Sequence, residues 1–198
     1  MKRIIFATSN EGKMKEIRQI MKDSGYEVVS LKEAGLSADI EENGTTFEEN
    51  ALIKAKAIME LTGEVVMADD SGLEVDYLGK APGVYSARYL GEDTSYTIKN
   101  NHIIKELEGV EGKDRSARFV SVIACVMPDG TTLTTRGTIE GVIGYEEKGE
   151  NGFGYDPIFY VPECGCTTAE LSLEGKNKIS HRGKALSKMK EELKKRSF

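Results

Sequence analysis

At 198 residues, 39% hydrophobic and 30% charged, the chain has the make-up of one globular domain spanning 1–198 rather than of a disordered or low-complexity polymer. A net charge of −6 and a pI near 5.2 exclude a broad basic face for nucleic acid, while leaving room for a local basic pocket that takes a small anion. The apolar run in MKRIIFATSN is too short for a signal-peptide core or a membrane span, and three cysteines form a sparse, odd set that fits a reducing, cytoplasmic compartment.

In chain order, Lys2 to Ala7 reads as a short strand, and Thr8-Ser9-Asn10 supplies N-cap side chains for a helix carrying Met14, Ile17 and Met21. Val28 to Leu31 reads as a second strand, followed by the acidic stretch Asp39-Ile40-Glu41-Glu42-Asn43-Gly44. Thr46 with Glu49 three residues on is a capping box, and Leu52, Ala55 and Met59 continue that helix's apolar face. Glu64 to Met67 reads as a short buried strand that ends at Asp69-Asp70-Ser71-Gly72, after which Leu73, Val75 and Tyr77 alternate. A loop over Ala81 to Arg88 and a helix from Ser95 to Glu108 follow. Ala117 to Met127 and Thr131 to Thr138 are two long strands joined at Pro128-Asp129-Gly130, a hairpin signal. Asn151 to Pro157 is a glycine-punctuated loop, and Ser180 opens a last helix with the stripe Ala185, Met189 and Leu193. Helices at both ends and hairpins in the middle predict a mixed α/β fold.

Several local patterns carry chemistry. The order strand, Thr8-Ser9-Asn10-Glu11-Gly12-Lys13, helix is a phosphate-site layout, because free backbone N–H groups and the helix dipole attract anions while Lys13 adds charge. It lacks the glycine spacing of a Walker motif. Asp69 and Asp70 side by side repel one another and are costly to desolvate, so a divalent cation is one explanation and an ordinary acidic turn the other. Asn50 and Lys54, one helical turn apart, face away from Leu52 and Met59, as a solvated polar face would. Arg182 and His181 stand at a helix start, which the dipole disfavours for cations, so an anion or acceptor is expected there. Phe153, flanked by glycines, suits stacking on a flat ring. His102 reads as structural, and Cys164-Gly165-Cys166 lacks the second ligand pair of a zinc site.

Taken together, seven ordered blocks resemble the inosine triphosphate pyrophosphatase family: TSNEGK (8–13), EENGTTF (41–47), ENA (49–51), ADDSGL (68–73), PGVYSAR (82–88), GFGYDP (152–157) and ISHR (179–182). The resemblance implies two lobes on a long, twisted central sheet with an active cleft between them, and hydrolysis of ITP, dITP or XTP to the monophosphate and pyrophosphate. It further implies Mg2+ bound by Glu41 and Asp70 with Asp69 in support, Glu42 as a substitute for Glu41, and Asp70 as the group that activates water. The phosphates are expected against Thr8, Ser9, Asn10, Glu11, Gly12 and Lys13, assisted by Lys54 and Ser71. The base is expected near Phe153, Gly154, Tyr155, Asp156, Lys176, His181 and Arg182, where Arg182, a donor-only group, would meet the 6-oxygen of hypoxanthine or xanthine. A homodimer is implied as well. A Maf-type pyrimidine pyrophosphatase is disfavoured by the Ser-His-Arg block, and a non-catalytic nucleotide sensor by the retention of Glu41, Asp69 and Asp70.

Overall fold

The polypeptide opens with strand β1, Lys2–Phe6, whose Ile4, Ile5 and Phe6 are fully buried. The computed structural model describes residues 2–37 and 40–196, so Asp39 of the acidic stretch lies outside the described residues. Helix α1 (Glu11–Met21) follows, capped by Asn10, whose Oδ1 accepts from the Lys13 backbone N–H at 2.9 Å. Then come β2 (Tyr26–Ser30), α2 (Phe47–Thr62), β3 (Val66–Val75), α3 (Tyr96–Glu106), β4 (Ser116–Val126), β5 (Thr132–Ile143), β6 (Phe159–Val161), β7 (Cys166–Thr167), α4 (Leu173–Ile179) and α5 (His181–Lys195). The seven strands form one mixed sheet in the order β2-β1-β3-β4-β5-β6-β7. β1 runs parallel to β2 and β3, whereas β6 is antiparallel to β5 and β7. The predicted mixed α/β class is the observed one.

The chain divides into two compact units. The first comprises Met1–Ser71, Ser121–Gly137 and His181–Phe198. Its core joins Ile4 and Phe6 of β1, Met14, Ile17 and Met21 of α1, Met67 of β3, and Ala185, Leu186, Met189 and Leu193 of α5. The apolar stripes of both terminal helices are therefore buried as their 3.6-residue spacing requires. Gly137 on β5 admits the start of α5, since a Cβ there would lie 2.2 Å from the His181 carbonyl oxygen. The second unit comprises Gly72–Val120 and Thr138–Ser180, with Leu73, Val75, Phe119, Ile143, Ile158 and Phe159 at its centre.

Elements β3 and α2 differ from their sequence reading in ways that bear on the site. Asp69-Asp70-Ser71-Gly72 is no turn: it lies inside the ten-residue strand β3. Local turn preferences are overridden here by the ladder, which pairs β3 with β1 and β4. Helix α2 has the expected Thr46–Glu49 capping box, but its buried face is Phe47, Asn50, Ala51, Ala55 and Ile58, and Leu52 and Met59 are only half-buried. Asn50 is thus an inward-facing residue, not part of a solvated face.

Candidate active site

Because successive side chains of a strand point to opposite faces, Asp69 and Asp70 leave β3 in opposite directions. Met67 belongs to the core under α1 and α5, so Asp69 and Ser71, in phase with it, face those helices. The hydrogen bond from Ser71 Oγ to Asp69 Oδ2, 3.0 Å, fits that phase. Ala68 and Asp70 face the other way, where Lys54 of α2 lies 3.6 Å from Asp70 Oδ1. The pleat therefore gives the neighbouring carboxylates separate cationic partners, Lys13 for Asp69 and Lys54 for Asp70, before any divalent cation is considered.

On the first face a buried polar network is assembled. Asp69 Oδ2 accepts from Lys13 Nζ at 2.7 Å and from Arg182 at 3.3 Å, and Oδ1 accepts from Ser121 Oγ at 2.6 Å. Arg182 also donates to Glu16 of α1 and, at 2.9 Å, to Ser71 Oγ. Burial alone would raise the Asp69 carboxyl, but the Arg182 and Lys13 charges beside it outweigh burial and hold it well below the usual carboxylate range. Lys13 is held in place by Asp69 just inside the α1 N-terminus, where Thr8 Oγ1 also accepts from the Asn10 N–H at 3.1 Å. Ser9, Asn10 and Glu11 are exposed and Gly12 half-buried in that first turn. The predicted order of strand, capping residue and helix is therefore present.

On the second face Lys54 Nζ lies 2.8 Å from Glu42 Oε2 as well as near Asp70. Asp70 is 7% exposed, and its Oδ2 is buried with no hydrogen-bond partner. Burial, together with the negative charges of Glu42 and Asp69, pushes its carboxyl up to about 6 against the opposing charges of Lys54 and Lys13. One turn before Lys54, Asn50 accepts from the Gly44 N–H at 2.8 Å, and its buried Nδ2 has no partner. Among the described residues no group of three His, Cys, Asp or Glu side chains stands ready to hold a metal ion. The donor set fits a divalent cation at Asp70, whose buried oxygen lacks a partner, with the exposed Glu41 or the half-buried Glu42 as further oxygen donors. Asp69, expected in support of the metal, is taken up by Lys13, Ser71, Ser121 and Arg182.

The second unit collects the other expected residues. Asp156 is buried, and its Oδ2 accepts from Lys176 Nζ at 2.5 Å and from the Phe153 N–H at 2.9 Å. Its Oδ1 accepts from Thr168 Oγ1 at 2.8 Å. The Lys176 ammonium also lies 5.1 Å from the centre of the half-buried Phe153 ring. Gly152 is required here: its φ is +73°, and a Cβ would come within 2.1 Å of Asp156 Oδ2. Gly154 accepts from Asn100 Nδ2 at 3.3 Å. Tyr155 is buried, donates from its hydroxyl to the Ser86 carbonyl at 2.7 Å and packs edge-on to Tyr96, so it shapes the loop.

Arg182 has protein partners of its own. It lies in the first unit, 1% exposed, with its terminal nitrogens engaged by Glu16, Asp69 and Ser71. These donors serve an ion-pair network in this structure, and His181, next in sequence at the start of α5, is buried as well. The acceptor that a cation at a helix start calls for is thus a pair of protein carboxylates. Glu16, Ser121 and Thr168 escaped the sequence reading. A charged residue such as Glu16 next to the apolar stripe of α1 was the one visible hint.

A model of the Ham1 family matches residues 4–192. The chain belongs to the Ham1 family. It is 53% identical over 189 residues to the dITP/XTP pyrophosphatase of Bacillus licheniformis, covering 96% of each chain. It is 52% identical over 197 residues to that of Caldanaerobacter subterraneus, covering 99% of this chain and 98% of the relative. Among solved structures it is similar to the Ham1 protein of Staphylococcus aureus, with TM-score 0.86, 43% identity, and 98% and 100% of the two chains covered. The Ham1 protein of Coxiella burnetii gives TM-score 0.88 at 41% identity with the same coverage. The predicted family kinship is thereby established.

Proposed function

We propose that this Ham1 protein hydrolyses ITP, dITP and XTP to the monophosphate and pyrophosphate, as the names of its dITP/XTP pyrophosphatase relatives suggest. The observation that carries the reading is the split of Asp69 and Asp70 across β3. One carboxylate locks the Lys13 ammonium and Arg182 in place, and the other presents a buried oxygen without a partner. Lys13 and the capped start of α1 supply cationic and N–H donors for phosphate oxygens. Mg2+ held by Asp70 with Glu41 or Glu42 would supply charge neutralisation at the phosphates. Asp70 is the general base: it receives the proton of the attacking water, with Lys54 beside it to hold the carboxylate. Phe153 offers a ring face to the base, and Asp156 and Lys176 fix the loop that carries it. The protein acts as a homodimer on a cytoplasmic nucleotide pool. Among the described residues no helix is long and apolar enough to cross a membrane.

Pyrophosphate release over a panel of ITP, dITP, XTP, ATP and GTP tests this. The first three should be cleaved with kcat/KM on the order of 10²–10⁴ above that for ATP, the range that buried donor and acceptor mismatches produce. Equal kcat/KM for ITP and ATP would overturn the substrate reading.

A further inference from the structure

The β6–β7 hairpin carries two thiols that the proposed hydrolysis does not use. Cys164, Cys166 and the buried Cys125 are all free; Cys164 is exposed and Cys166 half-buried. The N–H groups of Cys164 and Gly165 both donate to the Val161 carbonyl at 3.0 Å, and Gly165 adopts φ +66°. Cys166 then pairs with Val161 as the first residue of β7. Two residues apart, the Cα atoms of Cys164 and Cys166 cannot be separated by more than roughly 7 Å. The left-handed bend at Gly165 brings them closer than an extended chain would, into the range a disulfide spans.

We propose that Cys164 and Cys166 form a dithiol site for thiol–disulfide exchange with small disulfides, closing to an intramolecular disulfide that loosens the Asp156 loop. In the first step the Cys164 thiolate attacks one sulfur of the small disulfide, expelling one thiolate and leaving a mixed disulfide. In the second, the Cys166 thiolate attacks the Cys164 sulfur and expels the other. The pair is oxidised by two electrons and releases two protons, which the two departing thiolates take up as the small disulfide is reduced. The order follows from exposure: Cys164 is open to solvent, whereas burial, with Cys164 and Glu170 nearby, pushes the Cys166 thiol up and suits it to the second step.

Ring closure acts on β7 at its first residue. The next residue, Thr167, donates from its hydroxyl to the Lys148 carbonyl at 2.7 Å. Thr168 donates to Asp156 Oδ1, and Asp156 in turn holds Lys176 and the Phe153 N–H. A shift of β7 therefore reaches Asp156 through a side-chain hydroxyl two residues from Cys166. Its consequence for base binding rests on the function proposed above; the chemistry and the loosening do not.

The full-length protein is incubated with glutathione disulfide at pH 8, quenched with iodoacetamide and digested for mass spectrometry. The peptide holding both cysteines should lose two hydrogens and escape alkylation. Cys166→Ser should instead accumulate a glutathione adduct on Cys164, and Cys164→Ser should react far more slowly. An adduct that persists on the parent, or two thiols that both stay alkylatable, overturns the site. Amide hydrogen exchange over 151–158 should rise several-fold in the oxidised parent and not in treated Cys164→Ser; unchanged exchange in fully oxidised protein overturns the coupling. Neither readout requires turnover, so failure of the reduced enzyme to cleave dITP would count against the proposed function alone.

Discussion

Replacing Arg182 with Ala removes the cation that joins α1, β3 and the start of α5. Glu16 and Asp69, with side chains 2% and 0% exposed, would keep their charge in a dry environment while losing this partner. Asp69 retains Lys13, but Glu16 loses its Arg182 ion pair. Breaking a buried ion pair from one side typically costs about 3–5 kcal/mol, because the surviving charge stays buried without that counter-charge. Against a total stability of roughly 5–15 kcal/mol this is a large fraction. With a urea dependence of about 2–3 kcal/mol per molar, the upper part of the usual range for a chain of this size, it should lower the midpoint by roughly 1–2.5 M. Chemical unfolding followed by circular dichroism at pH 7 measures it directly. The double variant Glu16→Gln, Arg182→Met should recover part of the loss, since it removes a buried charge along with the cation. A single variant within about 1 kcal/mol of the parent, or a double variant no better than the single, would show that the network is not what holds these elements together.

Three further outcomes follow from the same geometry. Asp70→Asn should lower turnover at least ~10²-fold while substrate binding largely survives, and near-normal turnover in saturating magnesium would remove Asp70 from the mechanism. Lys13→Ala should raise KM for triphosphates and weaken inhibition by pyrophosphate, since a charge-assisted contact is worth roughly 1.5–3 kcal/mol; undiminished inhibition would reduce Lys13 to a partner of Asp69. Asp76 accepts from Lys80, Ser116 and Arg118, which together hold its carboxyl down to about 2. Its folded value lies below its unfolded one, so its contribution is present above pH 4 and disappears as pH falls toward 2. Asp76→Asn should therefore lower Tm at pH 7 and narrow the gap to the parent near pH 2, a pattern thermal scans across pH would reveal or deny.

What could be read before the fold was known depended on how local the cause was. Asn10, Thr46 and Ser95 all cap the helices they precede, because capping joins residues three apart. The stripe of α5 is likewise buried as its spacing indicated. Strand β3 was misread at Asp69 because Asp, Ser and Gly favour turns on their own, and the decision was made by neighbouring strands. Strand β5 runs five residues past Thr138, to Ile143, for the same reason. The partners that distinguish Asp69 from Asp70 were beyond reach: Ser121 is 52 residues away and Arg182 is 113. Nothing within either residue's own neighbourhood signals that one carboxylate is to be saturated and the other left open. The motif blocks named the residues, and only the pleat assigned them to sides.

That pleat gives β3 a parity. The two carboxylates are chemically identical and differ only in whether an even or an odd number of residues separates each from Met67. Losing or gaining one residue within β3 upstream of Asp69, with the flanking ladder kept, would exchange their environments. Asp70 would then meet Lys13 and Arg182, and Asp69 would turn toward Lys54. With a neutral residue lost or gained, net charge and every motif letter from Asp69 onward would be unchanged, yet saturated and open positions would have traded places. Point substitutions along this strand can be graded by size and charge, but insertions and deletions have no mild version.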